Sequence, residues 1–329
     1  MESCRRTLSG FPPARFVALG IQMLIMSALT CGSAAAQRPD MANQDASSKI
    51  ELAVPPPPVS FQNPILASDL AFLNSYAGRP TEELTKDKQF KNLLKKVVPN
   101  TTYHYGTDMP LQDAIEEVLH KSPVPVEILG GRYLIAAGNR GPYLGGAGFY
   151  WIDLQAGIIL GGFYFHPTNG EPTPTLTIFS RQLQDKFLSM SQFPDEFSAA
   201  VSSWSAAFHI RPLTARYFIP NNGKKYVLIH DEDYCSSAGG PGSVCAQMNV
   251  DAAEADMNAA YFMKETSNAA NATAWMLQPD QIEWLGMRDR SCMGPSPLSC
   301  RVLITRQRTH VLIGHPIPSP RPHPVGTRR

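Results

Sequence analysis

Four cysteines, Cys235, Cys245, Cys292 and Cys300, lie in the last third of this 329-residue chain and limit what that third can become. Nine residues separate the first two and seven the last two, which does not match the Cys-x(2–4)-Cys spacing of a zinc site. In an exported chain an even set of cysteines around short segments reads as a disulfide framework, a small module stapled because its own core is marginal.

The other end of the chain indicates export. Arg5, Arg6 and Arg15 precede an apolar run from Phe16 to Leu29, and Ala34-Ala35-Ala36 follows as a small-residue cleavage site. Residues 1–36 therefore read as a secretory signal peptide cut after Ala36. The apolar run is about 14 residues, short of the roughly 20 that a spanning helix needs, so no membrane span is expected after cleavage. Cys31 follows Thr30, where a lipidation site wants Gly, Ala or Ser, so secretion is preferred to lipid anchoring. Losing Arg5, Arg6, Arg15 and Glu2 lowers the formal charge of +1 by two, to −1. A near-neutral chain has no electrostatic footprint for nucleic acid or for an anionic membrane surface. The expected compartment is periplasmic or extracellular.

Residues 37–63 form a linker that is disordered on composition and carries the run Pro55-Pro56-Pro57-Pro58. Residues 64–231 read as one α+β domain. Leu70, Leu73 and Ala77 share a face of a short helix that stops near Gly78, and Phe90, Leu93, Leu94 and Val97 form the stripe of a second, stopped by Pro99. Asp108 is placed as the cap of a third helix with the stripe Leu111, Ile115, Val118 and Leu119. Strands follow in hairpins. Val124–Leu129 and Arg132–Ala137 flank Gly130-Gly131, and Phe149–Leu154 and Ile158–Phe165 flank Gln155-Ala156-Gly157. Thr175–Phe179 is a further strand. Phe197, Val201, Trp204 and Phe208 mark a helix, and Thr214–Ile219 joins Tyr226–His230 through Asn222-Gly223. Successive hairpins predict an antiparallel sheet with helices segregated from it. Residues 313–329 carry alternate prolines and a basic end and read as a disordered tail.

Catalytic chemistry finds little support. His166 and Glu171 follow a strand and form the one candidate acid–base or metal pair, without His-x-Glu or His-Glu-x-x-His spacing. There is no Gly-x-Ser-x-Gly elbow. Gly145-Gly146-Ala147-Gly148 precedes a strand rather than opening a helix, so it lacks the helix N-terminus that binds phosphate. The expectation is a non-enzyme with no cofactor and no metal.

Residues 232–312 read as an all-α module. Val250, Ala253, Met257, Ala260 and Tyr261 keep the helical period, with alanines that let a partner helix approach. Ala246–Thr266 and Pro279–Arg290 form a predicted helical hairpin, Pro279 in a first turn and Ile282, Leu285 and Trp284 as the facing stripe. Trp284 and Arg288 are four apart, in reach of a cation–π contact, and Asp256 or Asp289 is placed to pair with Arg288. A hairpin brings Cys245 near Cys292 and favours the crossed pairing with Cys235–Cys300. The local pairing, Cys235–Cys245 and Cys292–Cys300, is the rival.

The ordered residues resemble one family. Asp256-Met257-Asn258-Ala259-Ala260-Tyr261, then Gln281-Ile282-Glu283-Trp284-Leu285-Gly286-Met287-Arg288-Asp289-Arg290-Ser291-Cys292, then Cys300 with Thr305 and Arg308, resemble the LprI-like lysozyme inhibitors over residues 235–312. The resemblance implies a secreted binding protein whose partner is lysozyme or another envelope protein. It implies Asp256, Asn258, Tyr261, Gln281, Trp284, Arg288 and Asp289 as the binding set. The same residues have a second role open to them, locking a small helical core. Asp231-Glu232-Asp233 is an acidic patch suited to a basic lysozyme, or a solvated linker. The alternative function is an envelope structural or interaction protein that binds a periplasmic or cell-wall partner without inhibiting lysozyme.

Overall fold

A computed structural model of the protein describes residues 56–140, 145–172, 174–210, 214–238, 242–268 and 274–314. The expected leader and its cleavage site, residues 315–329 of the expected tail, and linker residues 37–55 lie outside the described residues.

Short helices come first among the described residues: α1 (Ala67–Leu70) continuing as a 3-10 turn, α2 (Thr81–Lys86) and α3 (Lys88–Val97). The hairpin of β1 (Thr102–Tyr105) and β2 (Thr107–Pro110) leads into α4 (Leu111–Leu119). The main sheet is built from β3 (Glu127–Leu129), β4 (Tyr133–Arg140), β5 (Gly146–Asp153), β6 (Ile158–Phe165), β7 (Thr175–Phe179) and the two-residue β8 (Leu188–Ser189). Helix α5 (Asp195–Ala207) then precedes β9 (Ala215–Ile219) and β10 (Tyr226–Ile229). The module follows as α6 (Tyr234–Ala238), α7 (Gly242–Asn268), α8 (Ala274–Ser291) and α9 (Pro297–Leu312). The architecture is α+β, with a C-terminal helical region holding two disulfides.

The eight strands run in the order β3-β4-β5-β6-β7-β9-β10-β8. Gly130 and Gly131, at φ of +57° and +65°, supply the left-handed pair that a tight hairpin between β3 and β4 requires. The sheet is not wholly antiparallel: β7 pairs with β9, and β8 with β10, in parallel. The β7–β9 connection carries α5, and a helical crossover is how a chain returns to lie parallel.

Helices cover both faces of the sheet. In β5 all eight residues are buried, so each face of its pleat needs a cover. Alternation sends Tyr150 and Ile152 to a core with Phe90, Leu94 and Ile115 from α3 and α4. It sends Phe149 and Trp151 to a second core with Phe197 and Trp204 of α5, where the rings of Phe149 and Trp204 lie 4.6 Å apart.

Two local expectations change. Asp108 does not cap α4, which starts three residues later behind Pro110 with no side-chain cap. Asp108 lies instead in β2, opposite His104, with 2.9 Å between its Oδ1 and the imidazole Nδ1. The expected spacer ends early. Val59 is buried and its N–H donates to the Gln192 carbonyl at 2.9 Å, and Gln62 N–H donates to the Gln182 carbonyl. Buried Gln182 holds this entry to the sheet, its amide donating to the carbonyls of Gly157 (2.7 Å) and Asn63 (3.3 Å) and accepting from Ile159 N–H.

The β5–β6 turn contains a buried carboxylate. Burial alone would raise the Asp153 pKa. The Arg132 guanidinium, at 2.7 Å from Nη2, and the N–H groups of Ala156 and Gln155 outweigh it and hold the group below the ordinary carboxylate value. A folded-state pKa that is depressed gives stability above the unfolded pKa, and that stability is lost as pH falls through the folded value. Asp153→Asn is therefore expected to be less stable at pH 7 and to lose less on acidification from about pH 5 to about pH 2, read as urea midpoints. Equal acid losses in both proteins would contradict this.

Candidate functional site in the helical module

Helix α7 carries the small residues that the spacing indicated. Ala252, Ala253, Ala259 and Ala260 are buried with Val250 and Met257, and α9 lies along this face. The expected two-helix hairpin is thus a three-helix arrangement. Helix α9 carries no apolar signal in the sequence because its inward stripe, Thr305, Arg308, Thr309 and Leu312, has the helical period but is mostly polar. The module is not separate from the sheet. Met257, Ala260, Leu277 and Leu312 share an apolar cluster with Ala215 and Tyr217 of β9 and Val227 of β10.

The disulfides take the local pairing. Cys235 is joined to Cys245 and Cys292 to Cys300, so the crossed pairing favoured by the hairpin is corrected. The reason is geometric: with α9 as the partner of α7, each bridge closes the corner between consecutive helices, α6 to α7 and α8 to α9.

The stripe that α8 turns inward is also different from expectation. Ile282 is 62% exposed, and the inward positions are Leu277, Gln281, Trp284 and Arg288, at helical spacing. Pro279 lies inside α8 and not in its first turn. The polar residues of the stripe satisfy one another. Arg308 Nε donates to Gln281 Oε1 at 3.0 Å, and Gln281 Nε2 donates to the Met257 sulfur at 2.9 Å. Arg308 also reaches Asp280. Arg288 donates to Glu254 at 2.8 Å and to Asp289 at 3.1 Å. Trp284 faces both guanidinium groups, 5.4 Å from Arg288 and 5.6 Å from Arg308. Cation–π contacts of this kind contribute about 0.5–2 kcal/mol each, more where water is excluded.

Asp256 does not meet Arg288. Its carboxylate, 1% exposed, accepts the backbone N–H of His230 at 2.8 Å and lies 2.6 Å from the His230 Nδ1. This contact ties the middle of α7 to the residue following β10. Sequence reading had no signal for it, since the partners are 26 positions apart in different elements.

Of the seven residues proposed for binding, Asp256, Gln281 and Arg288 are buried in this way, while Asn258 and Asp289 are exposed and Tyr261 and Trp284 half-buried. Asn258, Tyr261, Gln281 and Arg288 line one groove of about 350 Å³ between α7 and α8, joined by Glu254, Ile282 and Leu285. Burial, with the nearby Glu265, raises the Tyr261 phenol above its ordinary value, which keeps it a neutral donor. The groove thus combines an exposed branched aliphatic, a phenol and amide groups, a set suited to contact with another protein.

Each carboxylate of the acidic run has a partner. Asp231 accepts from the Ser191 N–H and hydroxyl. Glu232 pairs with Arg216 at 2.6 Å; burial would raise its pKa, and the guanidinium reverses that and lowers it. Asp233 accepts from Asn249 and from Cys235 N–H, which lowers it too. His166 and Glu171 have separate partners. His166 is exposed and 3.5 Å from the Tyr164 hydroxyl, whereas Glu171 is buried and ion-paired with Lys225. Gly146 and Gly148 are packing positions: a Cβ on Gly146 would lie 2.4 Å from the Tyr105 hydroxyl, and one on Gly148 would meet Ile115. Among the described residues no group of three His, Cys, Asp or Glu side chains could hold a metal ion, and no helix is long and apolar enough to cross a membrane.

Residues 235–312, about a quarter of the chain, match the family model described as lysozyme inhibitor LprI. The match covers the residues whose motif carries the resemblance. No curated protein and no solved structure matches the chain.

Proposed function

We propose that this is a secreted or periplasmic protein that binds lysozyme through the α7–α8 groove and inhibits it by occlusion. The observation that carries the reading is a coincidence: the segment similar to the inhibitor family is also where a solvent-facing groove exposes Ile282 beside Asn258 and Tyr261. Two disulfides in 78 matched residues suit an oxidising compartment. Occlusion needs a buried-on-binding anchor and a polar rim, not catalytic groups. Ile282 is the anchor. Asn258, Tyr261 and the exposed Asp289 form the rim, while Asp256, Gln281 and Arg288 hold the helices that present it.

The test is lysis of a cell-wall suspension by a c-type lysozyme with wild-type protein and with Ile282→Arg. Residue 282 faces solvent, so the variant should melt as the wild type does. Its inhibitory potency should fall by tenfold or more, the order expected of a central anchor. Undiminished inhibition by Ile282→Arg would move the contact elsewhere on the module.

A further inference from the structure

A second cavity lies where the module meets the sheet, away from the α7–α8 groove. It encloses about 460 Å³ and is mostly apolar, walled by Leu188, Val227 and Ile229 from the sheet and by Ile313 after α9. Two nitrogens on its lining residues are buried and have no hydrogen-bond partner: Nε2 of His230 and Nε of Arg306. Arg288, Arg301 and Arg308 each have a carboxylate partner, but among the described residues Arg306 has neither an ion pair nor a hydrogen bond. Its field reaches Asp233, but that carboxylate is held by Asn249 and Cys235 N–H. The two acids on the lining are likewise occupied, Asp256 by His230 and Asp231 by Ser191. Arg306 is half-buried, so the cost of desolvation falls on its Nε, and a guanidinium with no ion pair beside an apolar cavity suits an anionic ligand.

We infer that this cavity is a binding site for a small-molecule carboxylate with a hydrocarbon body, the carboxylate meeting Arg306 and the chain lying against Val227, Ile229 and Ile313. A carboxylate has two acceptor oxygens, the number that a guanidinium fork engages in a bidentate pair. The volume holds a body of several carbons without displacing the walls. The site is separate from the proposed lysozyme contact, and its ligand binding does not depend on that reading.

The test is equilibrium dialysis of the oxidised full-length mature protein against radiolabelled octanoate, with octanol as the uncharged competitor. The expected result is saturable binding of one octanoate per chain that equimolar octanol does not displace. Arg306→Gln should weaken it by tenfold or more, and Ile229→Trp, which fills the cavity from the sheet side, should abolish it. Circular dichroism and melting check that both variants fold. No retained octanoate, equal competition by octanol, or full affinity in folded Arg306→Gln would each overturn the inference. The octanol comparison uses the wild type, so it decides the matter even if a variant fails to fold.

Discussion

Asp256→Ala is expected to destabilise the protein by about 3–5 kcal/mol, the cost of removing one partner of a buried pair. The carboxylate is the acceptor for two groups of His230, its backbone N–H and the ring at Nδ1, and His230 is 0% exposed. Water cannot replace it there without opening the seam between α7 and β10. The consequence extends past one contact, because the same seam holds the apolar cluster of Met257, Ala260 and Leu312 with Tyr217 and Val227. Asp256→Asn keeps the shape and one acceptor oxygen, so its loss should be about half as large. Urea denaturation of the single variants, of His230→Ala and of the double variant gives the coupling directly. A coupling below about 0.5 kcal/mol, the ordinary scatter of independent sites, would mean the pair does not join module to sheet.

Reduction of the two disulfides should have an effect of similar size. Cys235 and Cys245 are 10 positions apart, and Cys292 and Cys300 are 8. Loops this short each contribute about 2.5 kcal/mol by restricting the unfolded chain, so losing both costs about 5 kcal/mol. The loss is local. The two large cores flanking the sheet contain no residue of the module, whereas α7, α8 and α9 share a core made largely of alanine, methionine and paired polar groups. Under a thiol reductant the module should unfold at a lower denaturant concentration than the sheet, giving two transitions where the oxidised protein gives one. Coincident transitions at an unchanged midpoint would show that the bridges contribute nothing to the module.

What could be read from the sequence follows the physics of each signal. Strands were legible where turn residues punctuated them: Gly130-Gly131, Gln155-Ala156-Gly157 and Asn222-Gly223 each join the two strands expected, and Thr175–Phe179 keeps its bounds. The stripe Phe90, Leu93, Leu94 and Val97 was legible because a helix with one apolar face has one way to bury it. The parallel pairings were not legible, since strand direction depends on where α5 carries the chain and not on any residue in β7 or β9. In the module the apolar period misled. Helix α8 buries Gln281 and Arg288 and exposes Ile282, the reverse of what hydrophobicity predicts, because a connected polar network with Trp284, Glu254 and Arg308 satisfies the buried groups. The Trp284–Arg288 contact was legible from its spacing of four. The disulfide pairing depended on α9, whose polar inward face concealed it.

The inhibition proposal stands or falls on one comparison: lysis of a cell-wall suspension by c-type lysozyme, with purified residues 37–329 oxidised and then reduced. The account predicts inhibition that saturates with the oxidised protein and disappears on reduction, while circular dichroism still reports the sheet. No inhibition by the oxidised protein would contradict it and would leave an envelope partner for the sheet as the function to pursue.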